Sequence, residues 1–149
     1  MADPGGALLD SGAFRLEFTV PDSAVDENRH VNNVVFVQWM QDVAVRHAAA
    51  AGCTREIQAR GATWVVRSHT IEYLRPSFAG DRLAVETWVA DARRALSTRG
   101  YRFLRAEDGK VVVTGETQWV YVDAASGRPR DIPREVIAVF RLLPGGPGG

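Results

Sequence analysis

The sequence predicts an α+β domain in which a five-stranded antiparallel sheet wraps around one long central helix. Three observations predict it. Residues 33–51 (NVVFVQWMQDVAVRHAAAA) are apolar over most of a helical circumference, which marks a buried helix. One strand-like segment precedes that helix, and four more follow Gly61. The last two of those segments are joined by Asp108-Gly109, a strong hairpin signal that makes them antiparallel neighbours. Such a sheet ends in an unpaired edge, and a second copy of the chain is one way to close it.

Taken in order, residues 1–12 and 144–149 are rich in Gly and Pro and are expected to be loose. Phe14 to Val20 (FRLEFTV) alternates as a short strand and stops at Pro21-Asp22. A polar run, Asp26 to His30, leads to Asn32 and Asn33, and asparagine is a preferred helix N-cap. The helix then runs from Asn33 to Ala51, where Gly52 ends it. Its polar residues Gln38, Gln41, Asp42 and Arg46 form one narrow stripe. They make a membrane crossing costly even though the helix is nearly long enough for one. Several β-branched residues in its first turns have poor helix propensity, so tertiary packing must hold it.

Ala62 to Arg75 is the second strand, ended by Pro76. Its broken alternation predicts a bulge or burial of both faces. Arg82 to Ala90 puts Leu83, Val85, Thr87 and Val89 on one face. Leu96 to Arg105 and Val111 to Val122 are the hairpin partners. Pro133 opens a short helical run to Leu142, with Val136, Val139 and Phe140 apolar. No internal repeat or linker interrupts residues 1–149, so one domain is expected.

Composition excludes several functions. The chain has 18 basic and 18 acidic residues, so net charge offers no pull toward nucleic acid or an anionic membrane. An apolar fraction of 46% with 24% charged residues is that of a soluble globular protein. Arginine accounts for 17 of the 18 basic residues, which suits phosphate contacts and codon bias equally. The single cysteine, Cys53, cannot form an internal disulfide and reads as a small residue after a helix end. The first residues carry no secretory pattern, so a cytoplasmic address is expected.

The chemistry-bearing stretch is Asp26-Glu27-Asn28-Arg29-His30-Val31-Asn32-Asn33-Val34. It is similar to the D-x-N-x-H-V-N-N-V motif of plant acyl-ACP thioesterases. The same placement of Asp before the helix resembles the 4-hydroxybenzoyl-CoA and YbgC-like acyl-CoA thioesterases. Pro76 to Leu83 (PSFAGDRL) resembles the P-x3-GD-x-L stretch of that family, and Asp131-Ile132-Pro133 also fits. On these residues nearly the whole chain resembles a hotdog-fold thioesterase. Two departures are Arg29, where the YbgC-like pattern has Gly, and Phe36, where it has Tyr. The plant enzymes carry two hotdog units per chain against one here, which implies a homodimer or a tetramer of such dimers. Their Glu after an E-Y-R stretch has no evident match at Glu72-Tyr73-Leu74-Arg75.

The resemblance implies hydrolysis of an acyl-CoA or acyl-carrier-protein thioester. A thiol of pKa about 8.5 leaves without a strong general acid. The reaction then needs a carboxylate, as nucleophile or as base for water, and donors for the oxyanion. Asp26 is the carboxylate candidate, against a plain solvated loop acid. The Asn33 backbone amide at the helix start is the oxyanion candidate. Asn28 and His30 would orient Asp26, water or the carbonyl, against readings as turn former and packed imidazole. Phe36, Val37, Met40, Trp64 and Val66 are candidates for the acyl pocket and serve equally as core. Arg93, Arg94 and Arg99 are candidates for the CoA phosphates, with a solvated basic face as the plainer account. His47 and His69 are read as structural. No metal is expected, because Asp26 and His30 lack a third ligand at suitable spacing, and no cofactor is implied. Two other functions stay open: a 3-hydroxyacyl thioester dehydratase, and a non-catalytic module that binds acyl thioesters.

Overall fold

The computed structural model describes residues 5–148. The part of the expected loose termini that falls on residues 1–4 and Gly149 lies outside the described residues. Strands are β1 (Ala7–Leu8), β2 (Phe14–Thr19), β3 (Ala62–Tyr73), β4 (Arg82–Arg93), β5 (Leu96–Arg105) and β6 (Val111–Asp123). Helices are α1 (Asn33–Ala51), α2 (Cys53–Ala59) and α3 (Arg134–Ile137), with a one-turn 3-10 helix at Asp22–Ala24. All strand pairs are antiparallel, in the order β1-β2-β4-β5-β6-β3. The sheet thus has six strands rather than five. The added one is a two-residue edge strand, Ala7 and Leu8, lying against Phe14 and Arg15.

Helix α1 has the ends its sequence signals. The Asn32 side chain accepts from the Val34 amide at 3.0 Å, which satisfies one of the free donors of the first turn. Gly52 closes the other end in the left-handed conformation (φ 88°), and its amide reaches the Ala48 and Ala49 carbonyls. Between these ends Phe36, Trp39, Met40, Val43, Ala44 and His47 are buried. All but His47 pack with Phe18, Leu83, Val85, Phe103 and Val113 of the sheet, and His47 stacks on Phe14. Phe36 meets Trp39 and Phe103 edge to face at centroid distances of 5.2 and 5.1 Å. Burying each such side chain is worth about 1.5–3 kcal/mol, enough to outweigh the poor propensity of the β-branched first turns.

The expected irregularity of β3 is a bulge. Its register against β6 shifts between Val66 and Ser68, and similar shifts interrupt β4–β5 and β5–β6. Bulges sharpen the twist that lets a sheet curl around a helix. On the outer face of β4, Glu86 accepts from Arg102 Nη2 at 2.6 Å and from Arg15 Nη1 at 3.1 Å. A second apolar cluster (Cys53, Ile57, Ala62, Tyr121, Ile132, Val136) lies beneath α2 and α3. The helical run expected from Pro133 to Leu142 spans only Arg134–Ile137. Beyond it Val139 and Phe140 pack on the second cluster without being helical. Leu143 then donates its amide to the Val89 carbonyl at 2.9 Å, so the chain past α3 is tied to β4.

Strand β3 is one margin of the sheet, hydrogen-bonded only to β6. Val65 and Tyr73 along it and Leu74 just past its end are exposed, as are Val34 and Val45 on α1. No helix among the described residues is long and apolar enough to cross a membrane.

Candidate active site

The motif loop is a compact turn built from its own backbone. Val25 bridges Val31, the Asp26 amide donates to the His30 carbonyl at 2.9 Å, and the Arg29 amide donates to the Asp26 carbonyl at 2.9 Å. Closing so tight a turn puts Arg29 in the left-handed region, with φ 65°. That is the position at which the related pattern has Gly, the residue that adopts this backbone without strain. The Asp26 carboxylate caps the turn, its Oδ1 accepting from the Asn28 amide at 2.9 Å. This leaves Oδ2 with no hydrogen bond from a described residue, and the residue is exposed. Asn28 is therefore a turn donor through its backbone, with its side chain exposed.

His30 leans on the loop between β3 and β4. It forms a backbone bridge to Phe78, and the two rings meet edge to face at 5.0 Å. The next residue, Val31, donates its amide to the Ser77 carbonyl at 2.8 Å. The stretch expected from PSFAGDRL is thus the bed on which the motif loop rests. Within that bed, Asp81 Oδ2 accepts from the Phe78 amide at 2.9 Å and Gly80 takes φ 87°. The conformation explains the glycine.

At the helix start, Asn32 spends its side chain on the Val34 amide. No described residue accepts from the Asn33 amide, which stays available at the positive end of α1. The Asn33 carbonyl accepts from Tyr73 Oη at 2.9 Å, tying the end of β3 to the first turn. Asp26, Asn28, His30 and Asn33 are therefore gathered at one end of α1, on an exposed surface of the single chain.

The other expected site residues do not join them as a group. Phe36 and Met40 are fully buried in the main core, and Val37 is half-buried beside them. Trp64 belongs to the second cluster, 5.2 Å from Tyr121, and Val66 is half-buried on β3. Phe36 and Met40 thus lie in the main cluster and Trp64 in the second, while Val37 and Val66 belong to neither, so the five residues expected to line one acyl pocket are not brought together. Arg93 and Arg94 are exposed at the β4–β5 turn, where Arg94 has φ 55°. That turn is at the end of β4 remote from Arg82, the end next to the motif loop. Arg99 departs furthest from expectation. It is 5% exposed, inside the domain, and so cannot meet a CoA phosphate at the surface.

His69 shares a 2.8 Å hydrogen bond with Thr117 Oγ1, and burial lowers its pKa. His47 is a core residue whose pKa is pushed down to about 3, first by burial and then by the Arg99 guanidinium. Its Nδ1 lies 2.8 Å from Arg99 Nη1, so it must be the acceptor. Sequence reasoning gave neither Arg99 nor His47 a joint role. Their partnership depends on α1 crossing β5, which no local pattern encodes.

Comparison with known proteins places these features in context. The family model described as the thioesterase-like superfamily matches residues 20–140. The chain is 25% identical over 146 residues to a chloroplastic palmitoyl-acyl carrier protein thioesterase of Cuphea hookeriana, covering 91% of this chain but 35% of that protein. It is 26% identical over 112 residues to the acyl-CoA thioester hydrolase YbgC of Escherichia coli, covering 75% of this chain and 81% of that one. Among solved structures, the 12:0-ACP thioesterase from Umbellularia californica superposes with a TM-score of 0.77 at 23% identity, over 85% of this chain and 48% of that one. The chain therefore spans about a third of the length of the plant relative and half of the plant structure.

Proposed function

The chain belongs to the thioesterase-like superfamily, and on that premise we propose that it hydrolyses an acyl-CoA or acyl-carrier-protein thioester to the free acid and thiol. The observation that carries this reading is the junction at the start of α1. A carboxylate with one uncommitted oxygen, Asp26, sits in the turn that leads directly into a helix whose Asn33 amide is free. In this reading the acyl carbonyl is held at the helix start, where the amide and the helix dipole stabilise the oxyanion. Asp26 then attacks the carbonyl carbon or takes a proton from attacking water, and the thiolate leaves. His30, braced by Phe78, and Asn28 form the side of the loop that faces the reacting group.

The working unit in this proposal is a homodimer. The β3 margin and the exposed apolar residues Val65 on β3, Leu74 just past it, and Val34 and Val45 on α1 support a second copy lying beside them. That copy would turn the exposed motif loop into a cleft and bring its own Arg93 and Arg94 within range of a nucleotide. Higher assembly to a tetramer is an extension of the same reading. The single buried thiol, Cys53, suits a reducing compartment and a cytoplasmic address.

The deciding experiment is a thiol-release assay on purified protein with acyl-CoAs of graded length and an aromatic acyl-CoA, run beside sedimentation analysis. Turnover by a dimer, lost in Asp26→Asn, is expected. Binding of acyl-CoA with no thiol release would replace the hydrolase with an acyl-thioester binding module.

A further inference from the structure

We propose that a cavity at the far end of α1 is a binding site for a short amphiphilic carboxylate, whose anionic head is held by Arg99. The cavity has a volume of about 240 Å³. Ala44, Ala48, Ile57, Trp64 and Trp119 give it apolar walls, and Arg99 is the one charged residue lining it. Ala48 lies roughly four turns beyond Asn33, about 22 Å along the helix axis, so this is a separate place from the motif loop.

The case rests on what surrounds the guanidinium. Arg99 makes two side-chain hydrogen bonds to described residues, both from Nη1: to His47 Nδ1 at 2.8 Å and to Thr87 Oγ1 at 3.1 Å. Neither partner is an anion. The Thr87 hydroxyl gives its own proton to the Gly100 carbonyl at 2.9 Å. The His47 ring is neutral wherever the protein is folded above about pH 3. Phe140 covers the guanidinium at 5.6 Å from its ring centroid. No described carboxylate pairs with Arg99, and none accepts from its Nε or Nη2.

A guanidinium does not neutralise itself by losing a proton, so the buried charge stands uncompensated. Leaving a charge buried without a counter-ion is costly, which is why such charges are nearly always paired. Here the space beside the charge is open instead of filled. The free N–H groups of an arginine present the fork that matches a carboxylate in bidentate fashion. The apolar walls fit a hydrocarbon or small aromatic body attached to that head. At about 30 Å³ per water molecule, the cavity holds roughly eight waters' worth of ligand, the size of a six-carbon acid. A single carboxylate matches one cation. A phosphate dianion would carry a second charge with nothing to meet it.

The inference does not depend on the hydrolase reading and is tested without any thioester. Trp64 and Trp119 line the cavity, so hexanoate, 1-hexanol and hexylamine can each be titrated into the full chain by intrinsic fluorescence, with melting temperature as a second readout. Hexanoate is expected to bind at least tenfold more tightly than hexanol, and hexylamine not at all. Arg99→Met should erase the preference for hexanoate over hexanol. Ala48→Leu, which fills the space without touching the charge, should weaken both. Equal binding of acid and alcohol, no response to hexanoate at millimolar concentration, or a preference that survives Arg99→Met would overturn the proposal. So would undiminished hexanoate binding in Ala48→Leu, an arm that decides the matter even if Arg99→Met fails to fold.

Discussion

Tyr73 at the end of β3 donates its hydroxyl to the carbonyl of Asn33, the first residue of α1, across 2.9 Å. The bond fixes the sheet margin to the helix start, and its ring also meets Phe36 at a centroid distance of 5.9 Å. Burial raises the phenol pKa, so the group remains a donor through neutral pH. Tyr73→Phe keeps the ring and removes the bond. The expected cost is about 1 kcal/mol, or roughly 2–4 °C in melting temperature. If the helix start holds the acyl carbonyl, kcat should fall severalfold with little change in KM. Unaltered kcat alongside the lower melting temperature would confine Tyr73 to a structural role.

Asp26 has two separable duties, and two substitutions separate them. Its Oδ1 closes the turn by accepting from the Asn28 amide, which an asparagine side-chain oxygen does equally well. Its charge is what thioester hydrolysis would need. Asp26→Asn should therefore keep the melting temperature and lose about 10²- to 10⁴-fold in kcat/KM. Asp26→Ala should lose a similar factor and also destabilise the loop. Near-normal turnover in Asp26→Asn would remove the carboxylate from the mechanism.

Much of this arrangement was legible from residue order alone. Both ends of α1 matched the structure because each end is set by a local device: the Asn32 side chain on the Val34 amide, and Gly52 at positive φ. The bulge in β3 showed itself as broken alternation. What was missed has physical reasons. A two-residue strand such as Ala7–Leu8 has no period to detect, and it exists only because Phe14 and Arg15 lie beside it. Helix α2, seven residues straight after a helix stop, offers barely two turns. Arg99 reads as a surface cation when charge is put ahead of strand phase. Ser97, Arg99, Tyr101 and Phe103 share one strand face and all are buried, so the alternation did carry the signal.

The His47–Arg99 pair predicts a specific acid sensitivity. His47 titrates near 6.5 in an unfolded chain and at about 3 when folded. The unfolded state thus binds the extra proton first. Stability from this group is complete above pH 6.5 and is lost progressively as pH falls toward 3, by about 1.4 kcal/mol per unit. Between pH 7 and pH 5 the loss should be about 2 kcal/mol. His47→Gln can still accept from Arg99 through its side-chain oxygen but cannot titrate. Urea unfolding at both pH values should show the smaller drop in the variant, and equal drops in both proteins would contradict the buried neutral imidazole.

Two glycines in the sheet should respond differently to the same substitution. A Cβ on Gly100 would meet the Trp88 ring at 2.4 Å, and that ring is also flanked by Gly146, whose own Cβ position lies 3.0 Å from it. The indole is a rigid plate with backbone on both sides, so it cannot yield by a small rotation of its tip. A Cβ on Gly115 would press on the terminal methyl and sulfur of Met40, at 2.9 and 3.0 Å, and meet the Thr70 carbonyl oxygen at an ordinary 3.7 Å. A methionine end has rotatable bonds that let it move aside. Gly100→Ala should therefore cost about 1–3 kcal/mol by overpacking, with a change in tryptophan fluorescence as Trp88 shifts. Gly115→Ala should cost about 1 kcal/mol or less, since extended backbone favours alanine over glycine and partly offsets the contact. Chemical denaturation of the two variants side by side measures the difference, and an equal cost would show that the Trp88 ring is free to leave its place.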